Sequence, residues 1–158
     1  MSLEENKSIV RRYWEGFNAH DLTVWDDLCS NLFSNHDPGM SLAVQNLHDT
    51  KKHVFAVFLD VFPDITSTEE EILADGDKVV TRRTFTGTQQ GEFMGMSATG
   101  RAVQFTGIFI DRLARGKIEE QWVQYDAMGL QHQVKGDYLV LAEAQAARAA
   151  CEAAYRYD

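Results

Sequence analysis

Residues 117–126 read Lys-Ile-Glu-Glu-Gln-Trp-Val-Gln-Tyr-Asp, a run of strand length that mixes carboxylates with large aromatic side chains. Alternate side chains of a strand share a face. Ile118, Glu120, Trp122, Gln124 and Asp126 therefore fall on one side, and Glu119, Gln121, Val123 and Tyr125 on the other. A face carrying Ile118 and Trp122 is expected to turn inward. Desolvation there would raise the pKa of a carboxylate, so that it could take and return a proton near neutral pH. Asp126 is the candidate. Its competing structural role is to end the strand and cap a helix starting at Ala127. Glu120 reads as a hydrogen-bond partner at a pocket edge or as a salt-bridge member. Trp122 reads as core or as an aromatic wall for a flat ligand.

His36, in Ser34-Asn35-His36-Asp37-Pro38, stands just before a turn, where a side chain could enter a cavity from its rim. The five histidines show no metal-ligand spacing and no His-Glu-x-x-His pattern occurs, so no metal is expected. The segment Gly95-Met96-Ser97-Ala98-Thr99-Gly100 has its second glycine one place too far on for a nucleophile elbow. Gly91, Gly95 and Gly100 do not form a phosphate-cradling pattern. The stretch 91–96, with Phe93 and Met94, reads as an apolar rim or a solvent-facing hairpin apex. Arg82 and Arg83 must lie on opposite strand faces, which leaves one of them pointing inward or paired with an acid. Glu69, Glu70 and Glu71 are expected to form a solvated edge.

The elements that would position these residues follow from periodicity. Ile9, Tyr13 and Phe17, with Val10 and Trp14, mark one amphipathic helix. Asp21 is placed to cap a second helix carrying Val24, Trp25 and Leu28. Residues 32–38 suit a brief strand or extended loop. Thr50 is expected to cap a third helix, whose apolar residues from Val54 to Phe62 cover most of its circumference and predict burial; Pro63 stops it. Strands are predicted near 65–74, 78–88, 102–112 and 117–126, with Asp75-Gly76-Asp77 and Ala114-Arg115-Gly116 as turns. A short helix follows Asp126, and Asp137 could cap an alanine-rich helix over 138–155. Helices followed by antiparallel strands predict an α+β domain.

The chain has 158 residues, 44% of them hydrophobic and 25% charged, which fits one globular domain. A net charge of -9 disfavours nucleic acids and anionic membranes as partners. Cys29 and Cys151 have no short pairing and are expected to be reduced thiols. The start, Met1-Ser2-Leu3-Glu4-Glu5, lacks the pattern of a secretory signal, and no apolar run approaches the roughly 20 residues of a membrane span. The expectation is a cytoplasmic protein.

Phe62-Pro63-Asp64-Ile65, Ala74-Asp75-Gly76-Asp77-Lys78-Val79-Val80, Phe85-Thr86-Gly87-Thr88 and Gly91-Glu92-Phe93-Met94-Gly95 resemble the SnoaL-like polyketide cyclases in motif and order. So do Thr99-Gly100-Arg101, Phe105-Thr106-Gly107-Ile108, Gly116-Lys117-Ile118-Glu119-Glu120, and Trp122 with Asp126 and Gly129-Leu130. The resemblance runs from about residue 4 to residue 134. It implies a nuclear-transport-factor-two-like domain over 1–135, a cone-shaped curved sheet of antiparallel or mixed strands against three N-terminal helices, leaving 136–158 as a C-terminal helical extension. It further implies cofactor-independent intramolecular aldol cyclisation of a polyketide-like carbonyl compound, with catalytic Asp126 and His36. Trp122, Glu120, Gln89, Phe93 and Met94 are expected at the substrate pocket, as are Phe105, Trp14 and Phe58. A homodimer paired through the open sheet face is the implied assembly. The family often places a histidine directly after the Thr-Gly-Thr segment, where this chain has Gln89, which donates hydrogen bonds but does not exchange protons near neutral pH. The competing functions are a ligand-binding or dimerisation module without catalysis, and a hydrolase or isomerase of a small apolar substrate.

Overall fold

Ser2 begins the folded chain with a reciprocal cap. Its side chain accepts from the Glu5 amide, and the Glu5 carboxylate accepts from the Ser2 amide. The helix so started, α1 (Leu3–Asn18), turns Val10, Tyr13, Trp14 and Phe17 inward. Asp21 caps a 3₁₀ turn, Leu22–Val24, which runs into the short α2 (Trp25–Leu28). The computed structural model describes residues 2–39 and 46–136. The Asp137 cap, the helix over 138–155 and Cys151 lie outside the described residues.

The remaining elements are β1 (Cys29–His36), α3 (Leu47–Val54), β2 (Thr66–Asp75), β3 (Lys78–Thr88), β4 (Ala102–Ala114), β5 (Lys117–Tyr125) and α4 (Ala127–Lys135). They form a five-stranded sheet in the order β1-β5-β4-β3-β2, with β1 parallel to β5 and the other pairs antiparallel. The architecture is the expected α+β, a mixed sheet packed against helices. No helix among the described residues is long and apolar enough to cross a membrane.

Both hairpins are set by turn chemistry. Gly76 takes a positive φ of 57° between β2 and β3, and Arg115 and Gly116 take 50° and 78° between β4 and β5, the pairing of positive angles that a tight two-residue turn needs. Of residues 32–38, those up to His36 belong to a true strand, because β1 finds a parallel partner in β5, with His36 opposite Trp122, while Asp37 and Pro38 leave it.

The structure corrects four expectations. Asn46, not Thr50, caps α3; Asn46 accepts from the Asp49 amide, and Thr50 is buried within the helix. The apolar run after Val54 is not buried throughout. It widens into a π turn over Phe55–Leu59, which leaves Phe55 59% exposed while Leu59, Val61 and Phe62 enter the core. Glu69 is not part of a solvated edge, because it pairs with Arg11 at 3.1 Å and with the buried Arg83 at 3.7 Å.

The fourth correction governs the site. Arg112 pairs with Glu120 but Leu113 with Ile118, so Glu119 is an extra residue, a bulge in β5. One extra residue reverses the alternation beyond it. Ile118 faces the core, but past the bulge it is Gln121, Val123 and Tyr125 that turn inward, and Glu120, Trp122 and Gln124 that turn outward.

Candidate active site

The inward faces of β3, β4 and β5, with α1, α2 and α3, enclose a cavity of about 50 Å³. Its belt is aromatic. Phe85 stacks on Phe105 with centroids 4.9 Å apart, Trp14 meets Phe109 edge-on at 4.5 Å, and Phe58 lies over Phe105 at 6.2 Å. Such rings present flat apolar walls suited to a planar ligand. Gly107 permits part of this packing, because a Cβ there would meet the Phe109 ring at 2.9 Å.

The polar lining falls into two groups. At the buried end stand Tyr13, Asn35 and Gln121, all almost without solvent contact. Asn35 and Gln121 are register partners across the β1–β5 pair, and the Asn35 Oδ1 has no hydrogen-bond partner among the described residues. At the more open end are Asp37, His53 and Tyr125. Asp37 Oδ1 accepts from the Gly39 amide at 2.7 Å. Asp37 Oδ2 lies 4.0 Å from His53 Nε2, which is buried and has no hydrogen-bond partner among the described residues. Burial first, and then the charge of Asp37, push the Tyr125 hydroxyl pKa up.

Behind the buried end lies Asp111, on the inward face of β4 with no solvent exposure. Burial raises its pKa to about 7, against the opposing effects of the Gln121 hydrogen bond and the Arg83 charge. Arg83 itself is packed 4.6 Å over the Trp14 ring and donates to Ser67 Oγ at 3.1 Å.

Trp14, Phe58 and Phe105, expected at the pocket, line it. The other expected positions sit elsewhere. Trp122 stacks on His36 with centroids 5.1 Å apart on the outer sheet face, and Glu120 there joins Arg112 at 2.5 Å and His36 at 3.5 Å. The Arg112 hydrogen bond holds the Glu120 pKa below its usual value. Asp126 is exposed and caps α4, accepting from the Gly129 amide at 2.8 Å. It borders a shallow outer depression shared with Arg82, Thr106, Ile108 and Gln124. The desolvation expected for Asp126 is therefore absent, since it belongs to the outer face.

Phe93 is buried against Phe62 in the core, outside the cavity lining, and Met94 is 68% exposed. Gln89 is fully buried but serves its own loop: Nε2 donates to Gly91 O at 3.0 Å and approaches Ser97 O at 3.3 Å, and Oε1 accepts from the Thr99 amide at 3.1 Å. Sequence reasoning missed Asp37, His53, Asn35, Gln121 and Asp111. For Gln121 the bulge hid the signal; for Asp111 the signal was visible, a carboxylate at the same parity as Phe105, Phe109 and Leu113. Among the described residues no group of three or more His, Cys, Asp or Glu side chains could hold a metal ion.

No curated protein matches the chain. Among solved structures it is similar to AclR of Streptomyces galilaeus, a candidate hydroxylase, at 27% identity and a TM-score of 0.77, with 99% of this chain and 100% of that chain covered. It is similar to wild-type IdmH of Streptomyces antibioticus, a candidate polyketide cyclase, at 28% identity and a TM-score of 0.74, covering 82% and 98% of the two chains. A candidate SnoaL-like polyketide cyclase of Jannaschia sp. CCS1, 24% identical with a TM-score of 0.74 over 83% and 92%, shares the fold. The family model for SnoaL-like polyketide cyclases matches residues 7–134, and the chain belongs to that family.

Proposed function

We propose that the protein is a cofactor-independent cyclase that closes a ring in a polyketide-like carbonyl compound by intramolecular aldol addition. The observation that carries this reading is the aromatic cavity with an acid and a histidine, Asp37 and His53, at its more open end. The chemistry asks for a base, a hydrogen-bond donor or acceptor for oxygen, and a shape that folds the substrate onto itself. In the proposed step the Asp37 carboxylate takes the proton from a carbon between two carbonyls. The enolate carbon then bonds to a second carbonyl carbon, and the new alkoxide recovers the proton from the Asp37 carboxylic acid, which returns the enzyme to its starting state. His53 Nε2, without a hydrogen-bond partner among the described residues, hydrogen-bonds the reacting oxygen. The aromatic belt holds the substrate as an oriented pair of reacting carbons.

The variants Asp37→Asn, His53→Gln and Asp126→Asn, assayed for turnover of a linear polyketide-like β-dicarbonyl substrate, test the assignment. Removal of a general base typically costs about 10²–10⁴-fold in rate, and that loss is expected for Asp37→Asn with Asp126→Asn near wild type. The reverse pattern would return the proton to Asp126 and His36, the pair implied by the family resemblance. A second reading rests on AclR, the candidate hydroxylase whose similarity covers nearly the whole chain. Product mass separates the two: aldol closure leaves it unchanged, whereas hydroxylation adds one oxygen.

A further inference from the structure

The buried end of the cavity is tied to Asp111 by a chain of three side chains. The Tyr13 hydroxyl donates to Gln121 Oε1 at 3.4 Å, and Gln121 Nε2 donates to Asp111 Oδ1 at 2.9 Å. Tyr13 is itself held, its ring stacked 4.0 Å from Trp25, whose indole N–H donates to the Tyr13 carbonyl. Tyr13 and Gln121 line the cavity while Asp111 lies behind it. An amide has two ends of opposite character, and which end faces a ligand is decided by what the other end is given to bond. A carboxylate only accepts, so an ionised Asp111 compels Gln121 to offer its N–H₂ backwards and its carbonyl oxygen forwards. The bond from Tyr13 is long, and among the described residues Gln121 Oε1 accepts no other hydrogen bond, which leaves a lone pair for a ligand.

We propose that Asp111 is a positioning residue that fixes the Gln121 amide, so that the buried end of the cavity presents an acceptor and selects ligands carrying a hydroxyl or phenol donor at their inner end. This rests on the cavity being the substrate site. It adds the polarity of that site's far end and the residue that sets it. When Asp111 gains a proton it becomes a donor, the amide can reverse, and the selection weakens. Its pKa near 7 places that change in the physiological range. The other groups facing Asp111 stay fixed there. Arg83 of β3, with its pKa lowered by burial to about 10, remains a cation. Burial pushes the Cys29 thiol at the start of β1 and the Tyr13 hydroxyl of α1 upward, so both stay neutral.

Phenol and its methyl ether, anisole, differ by the one donor in question, and their affinities by tryptophan fluorescence provide the test. Wild type should prefer phenol by roughly fivefold at pH 8.5, the worth of one hydrogen bond, with the preference falling towards one at pH 5.5. Asp111→Asn, which keeps His53, should show the same preference at both pH values. Gln121→Leu, which leaves Asp111 in place, should lose the preference at every pH. A preference that ignores pH in wild type, or that still follows it in Asp111→Asn, overturns the proposal, as does failure of both probes to bind. Carbon-13 NMR of the Asp111 carboxyl with the Gln121 side-chain amide signals supplies a ligand-free reading. The two should titrate together in wild type, and independent behaviour refutes the link. Should both readings hold while no cyclisation is found, it is the cyclase reading that fails and the positioning role that stands.

Discussion

Asp111 contributes to stability with a sign opposite to that of a salt-bridged carboxylate. Its pKa is raised by burial from 3.8 to about 7, so the folded state binds a proton more tightly than the unfolded one. Stability associated with this group is fully present below about pH 4 and is lost as the pH rises through about 7. A displacement of this size corresponds to a penalty on the order of a few kcal/mol for the ionised form. Asp111→Asn keeps a partner for Gln121 and cannot ionise, so its advantage over wild type should be larger at pH 8 than at pH 5. Urea unfolding at both pH values checks this; equal differences at the two pH values would show that Asp111 does not titrate between them. Why keep such a group is a functional question, and the selection of ligand donors is our answer. At this scale the sequence was only partly legible. Tyr13 and Phe105 announce themselves by periodicity, but Asp37 and His53 reach one cavity from β1's end and from α3, and nothing in their spacing joins them.

Strand β5 shows why elements were legible and faces were not. Its existence, its hairpin with β4 and its end near Asp126 all follow from turn residues and β-branched or aromatic content. Parity, however, is counted residue by residue, and the single extra position at Glu119 inverted every assignment after it. The 89–101 connection carries the other element-scale lesson. The family's frequent histidine suggested a lost proton carrier at Gln89, but the side chain holds both sides of its own loop, with backbone bonds from Gln89 to Arg101 and from Gly100 to Gln89 alongside. Its amide needs a donor and an acceptor end at once, reaching Gly91 and Ser97 with one and Thr99 with the other. Gln89→Ala should therefore cost about 2–4 kcal/mol, the penalty of stranding several buried backbone groups. It should also open residues 91–100 to limited proteolysis before the domain unfolds. Resistance equal to wild type would mean the loop is held by other contacts.

For the molecule as a whole, the order of helices and strands and the joint order of the motifs made the fold readable from the chain. The cavity was not, because its walls come from α1, α2, β1, α3 and three strands at once. A cavity of this kind is kept at the expense of packing. Interiors close to crystal density lose dispersion contacts at every void, and a buried polar atom without a partner forgoes its solvation as well. Asn35 combines both, being 4% exposed, on the cavity wall and without a partner at Oδ1 among the described residues. Asn35→Leu, which keeps the branched skeleton but is apolar and larger, and so can grow into the adjoining cavity, should relieve about 1–3 kcal/mol. For a domain of this length that corresponds to a melting temperature higher by roughly 2–10 °C. If the cavity is the substrate site, the same variant should lose affinity for phenol and turnover of the cyclisation substrate while remaining fully folded. A variant that is both more stable and equally active would show that the polar buried end takes no part in binding. A variant that is less stable would show that Asn35 Oδ1 is satisfied in solution, leaving no strain at that position for binding to relieve.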